Sequence, residues 1–136
     1  MVGGRGTGKT RMAAEIIRDR LPIPSYYTTA MGIFLRIREA YAKASNETES
    51  GIVNQLSTCL LLVIDEIQER SNSEWEDRII THIIDRRYGE QKPTIIIGNL
   101  RPDVMAASLG DSIVSRANES GGIIQFIGQS FRKPNP

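Results

Sequence analysis

Apolar residues recur along this chain at two spacings, and each spacing predicts a different kind of element. Helical spacing and composition predict helices over residues 10–20, 30–43, 52–56, 75–88, 102–109 and 111–117. Uninterrupted apolar runs at 59–64 and 94–97 predict strands buried on both faces, as in a parallel sheet that is flanked by helices. Shorter strands are predicted at 25–29 and, after a glycine pair, at 123–127. The pattern therefore indicates an α/β fold.

Length and charge narrow the class of protein. A chain of 136 residues is large enough for a buried core, so we expect residues 1–136 to form one domain. Seventeen basic and sixteen acidic residues give a net charge of +1, so a nucleic-acid site would have to be a local patch. The apolar runs are too short to cross a bilayer and we find no leader, which predicts a cytoplasmic protein with no membrane partner. A single cysteine, Cys59, excludes a disulfide framework within the chain.

The opening residues contain a phosphate-binding pattern. Read from Gly3, they fit G-x-x-x-x-G-K-[ST], in which glycines let consecutive backbone N–H groups turn toward a triphosphate. Lys9 would meet the β and γ phosphates of ATP, and the hydroxyl of Thr10 would hold Mg²⁺. The alternative is a glycine-rich turn with a chance Gly-Lys-Thr after it. The predicted nucleotide site consists of Gly3, Gly4, Arg5, Gly6, Thr7, Gly8, Lys9, Thr10 and Arg11.

Two acids follow the apolar run at 59–64. Ligands of α/β folds bind at the carboxyl ends of the strands, so Asp65 and Glu66 are expected to face the phosphates. Asp65 would position Mg²⁺ together with Thr10, and Glu66 would polarise the attacking water. An exposed acidic turn is the alternative. Because kinases with phosphate loops do not usually show this adjacent pair, it favours hydrolysis over phosphoryl transfer to a small molecule.

Six stretches together resemble a known family. They lie at residues 3–10, 61–67, 83–88, 94–100, 109–116 and 130–132. This combination is similar to the AAA+ ATPase module of DnaC-type bacterial and phage replicative helicase loaders, and to the related IstB transposition helpers. The first two stretches are shared by very many ATPases. The Asp-Arg-Arg-Tyr and Leu-Gly-Asp segments are more specific, and the resemblance covers nearly the whole chain.

The resemblance implies a fold and three further site residues. The fold would be the P-loop NTPase (AAA+) three-layer sandwich around a parallel sheet. By position, Asn99 resembles the sensor that hydrogen-bonds the γ-phosphate or the attacking water, and Arg132 resembles a second sensor in the same chain. Arg116 is similar to the arginine finger that reaches the ATP site of a neighbouring subunit, which implies a homo-oligomer. The alternatives are a turn residue for Asn99 and a solvated helix residue for Arg116.

A replicative DNA helicase and single-stranded DNA are the partners that the resemblance implies. The expected DNA surface combines aromatic stacking faces with basic side chains, namely Tyr26, Tyr27, Phe34, Arg36, Arg38 and Lys43. The alternative places the aromatics in the core and the basic residues on a solvated helix face. The implied function is helicase loading driven by ATP. An IstB-like transposition helper and a truncated ATP-dependent binding module without hydrolysis remain alternatives.

Two parts of the family pattern are expected to be missing. Loaders of this type carry an N-terminal helicase-binding region, which we expect to be absent. Their phosphate loop also follows a central buried strand, whereas only Met1 and Val2 precede Gly3 in this sequence. That strand would lie between the strands at 94–97 and 123–127, so we expect a truncated module that lacks most of its first central strand.

Overall fold

The computed structural model has an α/β architecture and describes residues 1–132. Its elements are β1 (Val2–Gly3), α1 (Lys9–Asp19), β2 (Ser25–Thr29), α2 (Ala30–Ala40), α3 (Glu49–Thr58), β3 (Leu61–Asp65), α4 (Glu74–Gly89), β4 (Thr94–Ile96), α5 (Pro102–Leu109), α6 (Asp111–Ser120) and β5 (Gln125–Phe126). Every predicted helix is present, with ends that differ by a few residues. Within this part of the chain, no helix combines the length and apolarity needed to cross a membrane.

The strands are parallel, and the phosphate loop follows a strand that lies between two others. Strands β2, β3 and β4 form one sheet in the order β2-β3-β4, and β1 pairs with β5. Val2 also bridges to Gly98, just beyond β4, and the Gly98 N–H donates to the Met1 carbonyl at 3.0 Å. The predicted position of β1, between β4 and the last strand, is therefore confirmed, and β1 is two residues long.

Helices cover both faces of the sheet, which gives three layers. Successive side chains of a strand point to opposite faces, and β3 divides accordingly. Leu62 and Ile64 belong to the larger core with α2, α3 and α4, whereas Leu61 and Val63 pack with Ala13 of α1. Burying each such aliphatic side chain contributes about 1.5–3 kcal/mol. The prediction of a strand buried on both faces is confirmed for β3. Cys59 and Leu60, at the start of the predicted run, lie outside the strand, because Cys59 ends α3 and Leu60 is exposed.

The same prediction is wrong for the next strand. Thr94–Ile96 is only half-buried, and full burial begins at Ile97. The reason is the short β1, which reaches Gly98 and leaves the rest of that edge of β4 without a neighbouring strand among residues 1–132. The last strand is likewise shorter than the predicted 123–127, because β5 pairs only with the two residues of β1.

Three helices begin at a hydroxyl residue. The side chains of Thr29, Thr48 and Ser73 each accept the backbone N–H three residues later, at 3.0, 3.1 and 3.3 Å. Such caps satisfy one of the donors that the first turn of a helix leaves unpaired. The cap at Thr29 lets α2 start directly after β2.

Candidate nucleotide-binding site

The phosphate loop connects β1 to α1 and turns sharply into the helix. Gly8 precedes α1 with φ of 95°, a left-handed conformation that favours glycine. The turn points the positive end of the helix dipole at the loop. A Cβ on Gly6 would lie 2.0 Å from Ser130 Oγ, and the Phe131 N–H donates to the Gly6 carbonyl at 3.0 Å. The loop is therefore packed against the segment at 130–132.

The ammonium group of Lys9 lies inside this loop. Lys9 is only 3% exposed, and its Nζ donates to the carbonyl oxygens of Gly3 at 2.9 Å and Gly4 at 2.7 Å. Burial lowers the pKa of Lys9, while the charge of Asp65 opposes this shift and Arg132 adds to it. A phosphate oxygen would be a stronger partner for this ammonium than a carbonyl oxygen, because both groups would be charged.

The carboxylate of Asp65 is held by donors from three parts of the chain. Its Oδ2 accepts the Thr10 hydroxyl at 2.7 Å and the Tyr27 hydroxyl at 2.7 Å, and its Oδ1 accepts the Glu66 N–H at 2.7 Å. Burial, followed by the bond to Asp65, raises the pKa of Tyr27, so its hydroxyl remains a neutral donor. Sequence reasoning placed Tyr27 only on a DNA surface. No short-range pattern in the sequence indicated this contact, because it depends on the pairing of β2 with β3.

Glu66 and Asn99 lie on neighbouring loops at the carboxyl end of the sheet. Glu66 is exposed, with φ of 51°. Asn99 lies in the loop that follows β4, which ends at Ile96. Its N–H donates to Gln68 Oε1 at 3.0 Å. Gln68, which sequence reasoning missed, therefore links the loop after Glu66 to the loop that carries Asn99.

These groups surround one cleft of about 710 Å³. Its lining comprises Arg5, Gly6, Gly8, Lys9, Thr10, Arg11, Ala14, Asp65, Glu66, Asn99, Phe131 and Arg132. The structure thus brings the predicted acids, the predicted sensor and Arg132 together with the phosphate loop. Gly3, Gly4 and Thr7 of the predicted site are not among the lining residues, and the Thr7 hydroxyl donates to the Gly4 carbonyl at 2.8 Å.

The residues at the centre of the cleft fit Mg²⁺. Residues 1–132 contain no group of three or more His, Cys, Asp or Glu side chains arranged for a metal ion. Mg²⁺ bound with a nucleotide needs only one or two protein oxygens, because phosphates and waters complete its shell. The Thr10 hydroxyl and the Asp65 carboxylate, 2.7 Å apart, are oxygens of this kind.

Arg116 lies away from the cleft of its own chain. Its guanidinium pairs with Asp85 at 3.0 Å and lies 5.5 Å from the centre of the Tyr88 ring. It also donates to the Ser112 carbonyl at 3.1 Å. Both Asp85 and Tyr88 belong to α4, so the side chain from α6 is held against that helix. Arg116 is the one predicted catalytic residue that the structure does not bring to the phosphate loop.

The predicted DNA surface needs correction. Phe34 is 1% exposed and packs against Trp75 with ring centres 5.6 Å apart, so it is a core residue and offers no stacking face. Arg36 donates to the Tyr26 hydroxyl at 2.8 Å and pairs with Glu47, which occupies both side chains. Tyr27 is bound to Asp65, as described above. Two of the predicted residues remain exposed as basic side chains, namely Arg38 and Lys43.

A second cleft, of about 800 Å³, lies between α3 and α4. Trp75, His82 and Asp85 are among its lining residues. Because it lacks a phosphate-binding loop and lies away from Asp65 and Glu66, we do not assign the nucleotide to it.

The fold and the cleft together define a class of protein. The sheet is parallel and has helices on both faces. A glycine-rich loop connects one strand to a helix, and an Asp-Glu pair lies at the end of the buried β3. These are features of the P-loop NTPase fold of the AAA+ class. The chain belongs to the IstB-like ATP binding protein family, which it matches over residues 1–135. The predicted fold class and family are therefore confirmed.

Known proteins with similar sequences or structures include a replicative helicase loader and a replication initiator. The replicative helicase loader DnaC of Escherichia coli (strain K12) is 33% identical over 133 residues, which are 96% of this chain and 54% of DnaC. The chain thus spans about half the length of this relative. A crystal structure of the DnaC helicase loader matches 93% of this chain and 76% of its own with a TM-score of 0.76 at 24% identity. The replication initiator DnaA, bound to AMPPCP and single-stranded DNA, matches 94% of this chain and 40% of its own with a TM-score of 0.75 at 24% identity.

Proposed function

We propose that residues 1–136 form one AAA+ domain that binds ATP with Mg²⁺ and hydrolyses it. The observation that carries the proposal is the hydrogen bond of 2.7 Å between the Thr10 hydroxyl and Asp65, in the cleft that also contains Lys9 and Glu66. The loop N–H groups and Lys9 would bind the phosphates. Mg²⁺ would neutralise charge on the phosphate oxygens, and Thr10 and Asp65 would hold it.

Glu66 and Asn99 would act on the attacking water. The Glu66 carboxylate follows Asp65 directly and lines the cleft, so it would orient the water and accept its proton. The side-chain amide of Asn99 can both donate and accept a hydrogen bond, which suits contact with the water or the γ-phosphate. Arg132 lines the same cleft from the segment above the loop and would contact the γ-phosphate in its own chain.

The variant Glu66→Gln tests this assignment. It keeps the size of the side chain but removes the base, so ATP should bind with unchanged affinity while hydrolysis slows by about a hundredfold or more. Equilibrium binding of ATP and steady-state release of phosphate are the two measurements. Glu74→Gln is the control, because Glu74 is exposed at the start of α4, does not line the cleft and is expected to keep the hydrolysis rate. Unchanged hydrolysis by Glu66→Gln would refute the role of Glu66.

Helicase loading is the biological role that we propose for this activity. Its support is the similarity to DnaC, and to a DnaA structure that contains single-stranded DNA. The module would assist in loading a replicative helicase onto single-stranded DNA during replication in the cytoplasm. The exposed Arg38 and Lys43 would meet DNA phosphates, and Arg36 could join them only by exchanging Glu47 for a phosphate.

Assembly into a homo-oligomer is part of the same proposal. Arg116 lies outside its own cleft, on the side of the molecule formed by α4 and α6. As an arginine finger it would enter the cleft of a neighbouring copy and neutralise charge as the γ-phosphate leaves. Each cleft would then be complete only within the assembly.

The position of Arg116 also supports a second candidate function, an ATP-dependent binding module without hydrolysis. A subunit whose neighbours do not supply the arginine would bind ATP without hydrolysing it. ATP binding alone would then control which partners the subunit binds. Tight ATP binding by the unmodified chain with no phosphate release at any protein concentration would favour this candidate. The family match additionally permits a role as an IstB-like transposition helper. Stimulation of ATP hydrolysis by a purified replicative helicase, but not by a transposase, would exclude that role.

A further inference from the structure

Tyr27 reaches the proposed Mg²⁺ site from the neighbouring strand. In the parallel pairing of β2 and β3, Tyr27 lies opposite Val63 and Thr29 lies opposite Asp65. The long side chain of Tyr27 extends toward the carboxyl end of the sheet, where its hydroxyl donates to Asp65 Oδ2 at 2.7 Å. The Thr10 hydroxyl donates to the same oxygen atom at 2.7 Å.

These hydrogen bonds fix the orientation of the Asp65 carboxylate and leave few of its acceptor positions free. An ionised carboxylate accepts about four hydrogen bonds. Tyr27, Thr10 and the Glu66 N–H occupy three of these positions, two on Oδ2 and one on Oδ1. About one position therefore remains, on Oδ1. Because Oδ2 accepts two hydrogen bonds, the carboxylate cannot rotate about the bond between Cβ and Cγ without breaking one of them.

We propose that Tyr27 is a positioning residue for the Mg²⁺ that accompanies ATP, because its hydroxyl fixes the orientation of the Asp65 carboxylate. The inference rests on the proposed function of the cleft. A role in packing is insufficient to explain this residue, since Tyr27 is 44% exposed and it is the hydroxyl that contacts Asp65. Partners that orient a metal-binding group change metal affinity or activity by about 10–100-fold when they are removed.

The test uses Tyr27→Phe, which removes only the hydroxyl. Binding of a fluorescent, non-hydrolysable ATP analogue is measured in EDTA and then as a function of Mg²⁺ concentration. We expect the affinity in EDTA to stay within about twofold of that of the unmodified chain, and the half-saturating Mg²⁺ concentration to rise about tenfold. A purely structural role would weaken binding equally with and without Mg²⁺.

Tyr26→Phe is the matched control. Tyr26 is the preceding residue of β2, so its side chain points to the opposite face of the sheet, where its hydroxyl contacts Arg36. This variant should leave the Mg²⁺ dependence unchanged. The inference is overturned if Tyr27→Phe shifts the Mg²⁺ dependence no more than the control, or if it weakens binding in EDTA by the same factor. Absence of nucleotide binding by the unmodified chain would instead overturn the proposed function, and this inference with it.

Discussion

The charged groups of the phosphate loop are surrounded by oxygen and nitrogen atoms that match them. Lys9 Nζ donates to the carbonyl oxygens of Gly3 and Gly4 and, at 3.3 Å, to Thr7 Oγ1. These three bonds use the three hydrogens of the ammonium group. Asp65 accepts from three donors in turn. Partners of this kind keep buried ionic side chains in place, because leaving them unpaired would cost several kcal/mol.

The buried environment of Lys9 leads to a prediction about pH. Burial lowers the pKa of Lys9 from the ordinary value of 10.5, so the ammonium loses its proton at a lower pH than an exposed lysine would. The charged form binds phosphate, and nucleotide affinity should therefore fall with rising pH before 10.5 is reached. Titration of nucleotide affinity against pH measures this fall.

Lys9→Arg serves as the control in that experiment, because arginine keeps its charge throughout this range. The nucleotide affinity of this variant should not fall as the pH rises toward 10.5, whatever its affinity at neutral pH. An identical decrease in both proteins would show that a group other than Lys9 is responsible.

At the scale of elements, the end of α4 connects several parts of the fold through Arg87. This side chain is fully buried and donates to the carbonyl oxygens of Leu56, Cys59 and Pro93, each at 2.8 Å, and to Thr94 Oγ1 at 2.8 Å. Burial lowers the pKa of Arg87, because the charge is removed from water. The guanidinium thus ties α4 to the end of α3 and to the starts of β3 and β4.

Arg87→Leu should strongly destabilise the fold. The leucine would fill part of the space but would leave buried carbonyl oxygens without donors, each of which costs about 1–3 kcal/mol. We expect the free energy of unfolding to fall by more than about 3 kcal/mol, measured by urea denaturation.

The neighbouring Arg86→Leu is the matched control for that loss. Arg86 has a side chain that is 37% exposed, and its pair with Glu90 is a surface pair. The free energy of unfolding should therefore change by less than about 1 kcal/mol. Equal losses in the two variants would contradict the role that we assign to Arg87.

At the scale of the whole molecule, the two halves of the proposed catalytic machinery lie in different places. The phosphate loop, Asp65 and Glu66 form one cleft, while Arg116 is held against α4 by Asp85 and Tyr88. A held guanidinium loses less side-chain entropy when it binds a phosphate than a free one does. This separation agrees with the proposal that each ATP is enclosed by two copies of the chain.

Mixing two inactive variants tests that proposal. Lys9→Ala should fail to bind ATP, and Arg116→Ala should bind ATP without hydrolysing it. In an equal mixture, random assembly would place an intact loop beside an intact finger at about a quarter of the interfaces. The rate of phosphate release should therefore rise to about that share of the unmodified rate.

The control mixture combines Arg116→Ala with the double variant Lys9→Ala/Arg116→Ala. It contains intact loops but no intact finger, so hydrolysis should not return. The shared site is refuted if the first mixture is as inactive as this one.

Much of the fold could be predicted from the sequence because the relevant signals are local. The helices follow from apolar spacing, which repeats every three or four residues. The apolar run before Asp65 indicated β3 correctly. The burial of β4 and the length of β5 could not be predicted, since both depend on how far β1 extends beside them.

The sequence by itself determined the phosphate loop and the strand-end acids, because each depends on residue types at short, fixed spacings. Its resemblance to a known family indicated the fold class. Only the tertiary structure decided which distant side chains meet these groups. It placed Tyr27 on Asp65, bound Arg116 to α4 and buried Phe34 in the core. These contacts depend on strand register and helix packing, which join residues far apart in the chain and leave no periodic trace in it.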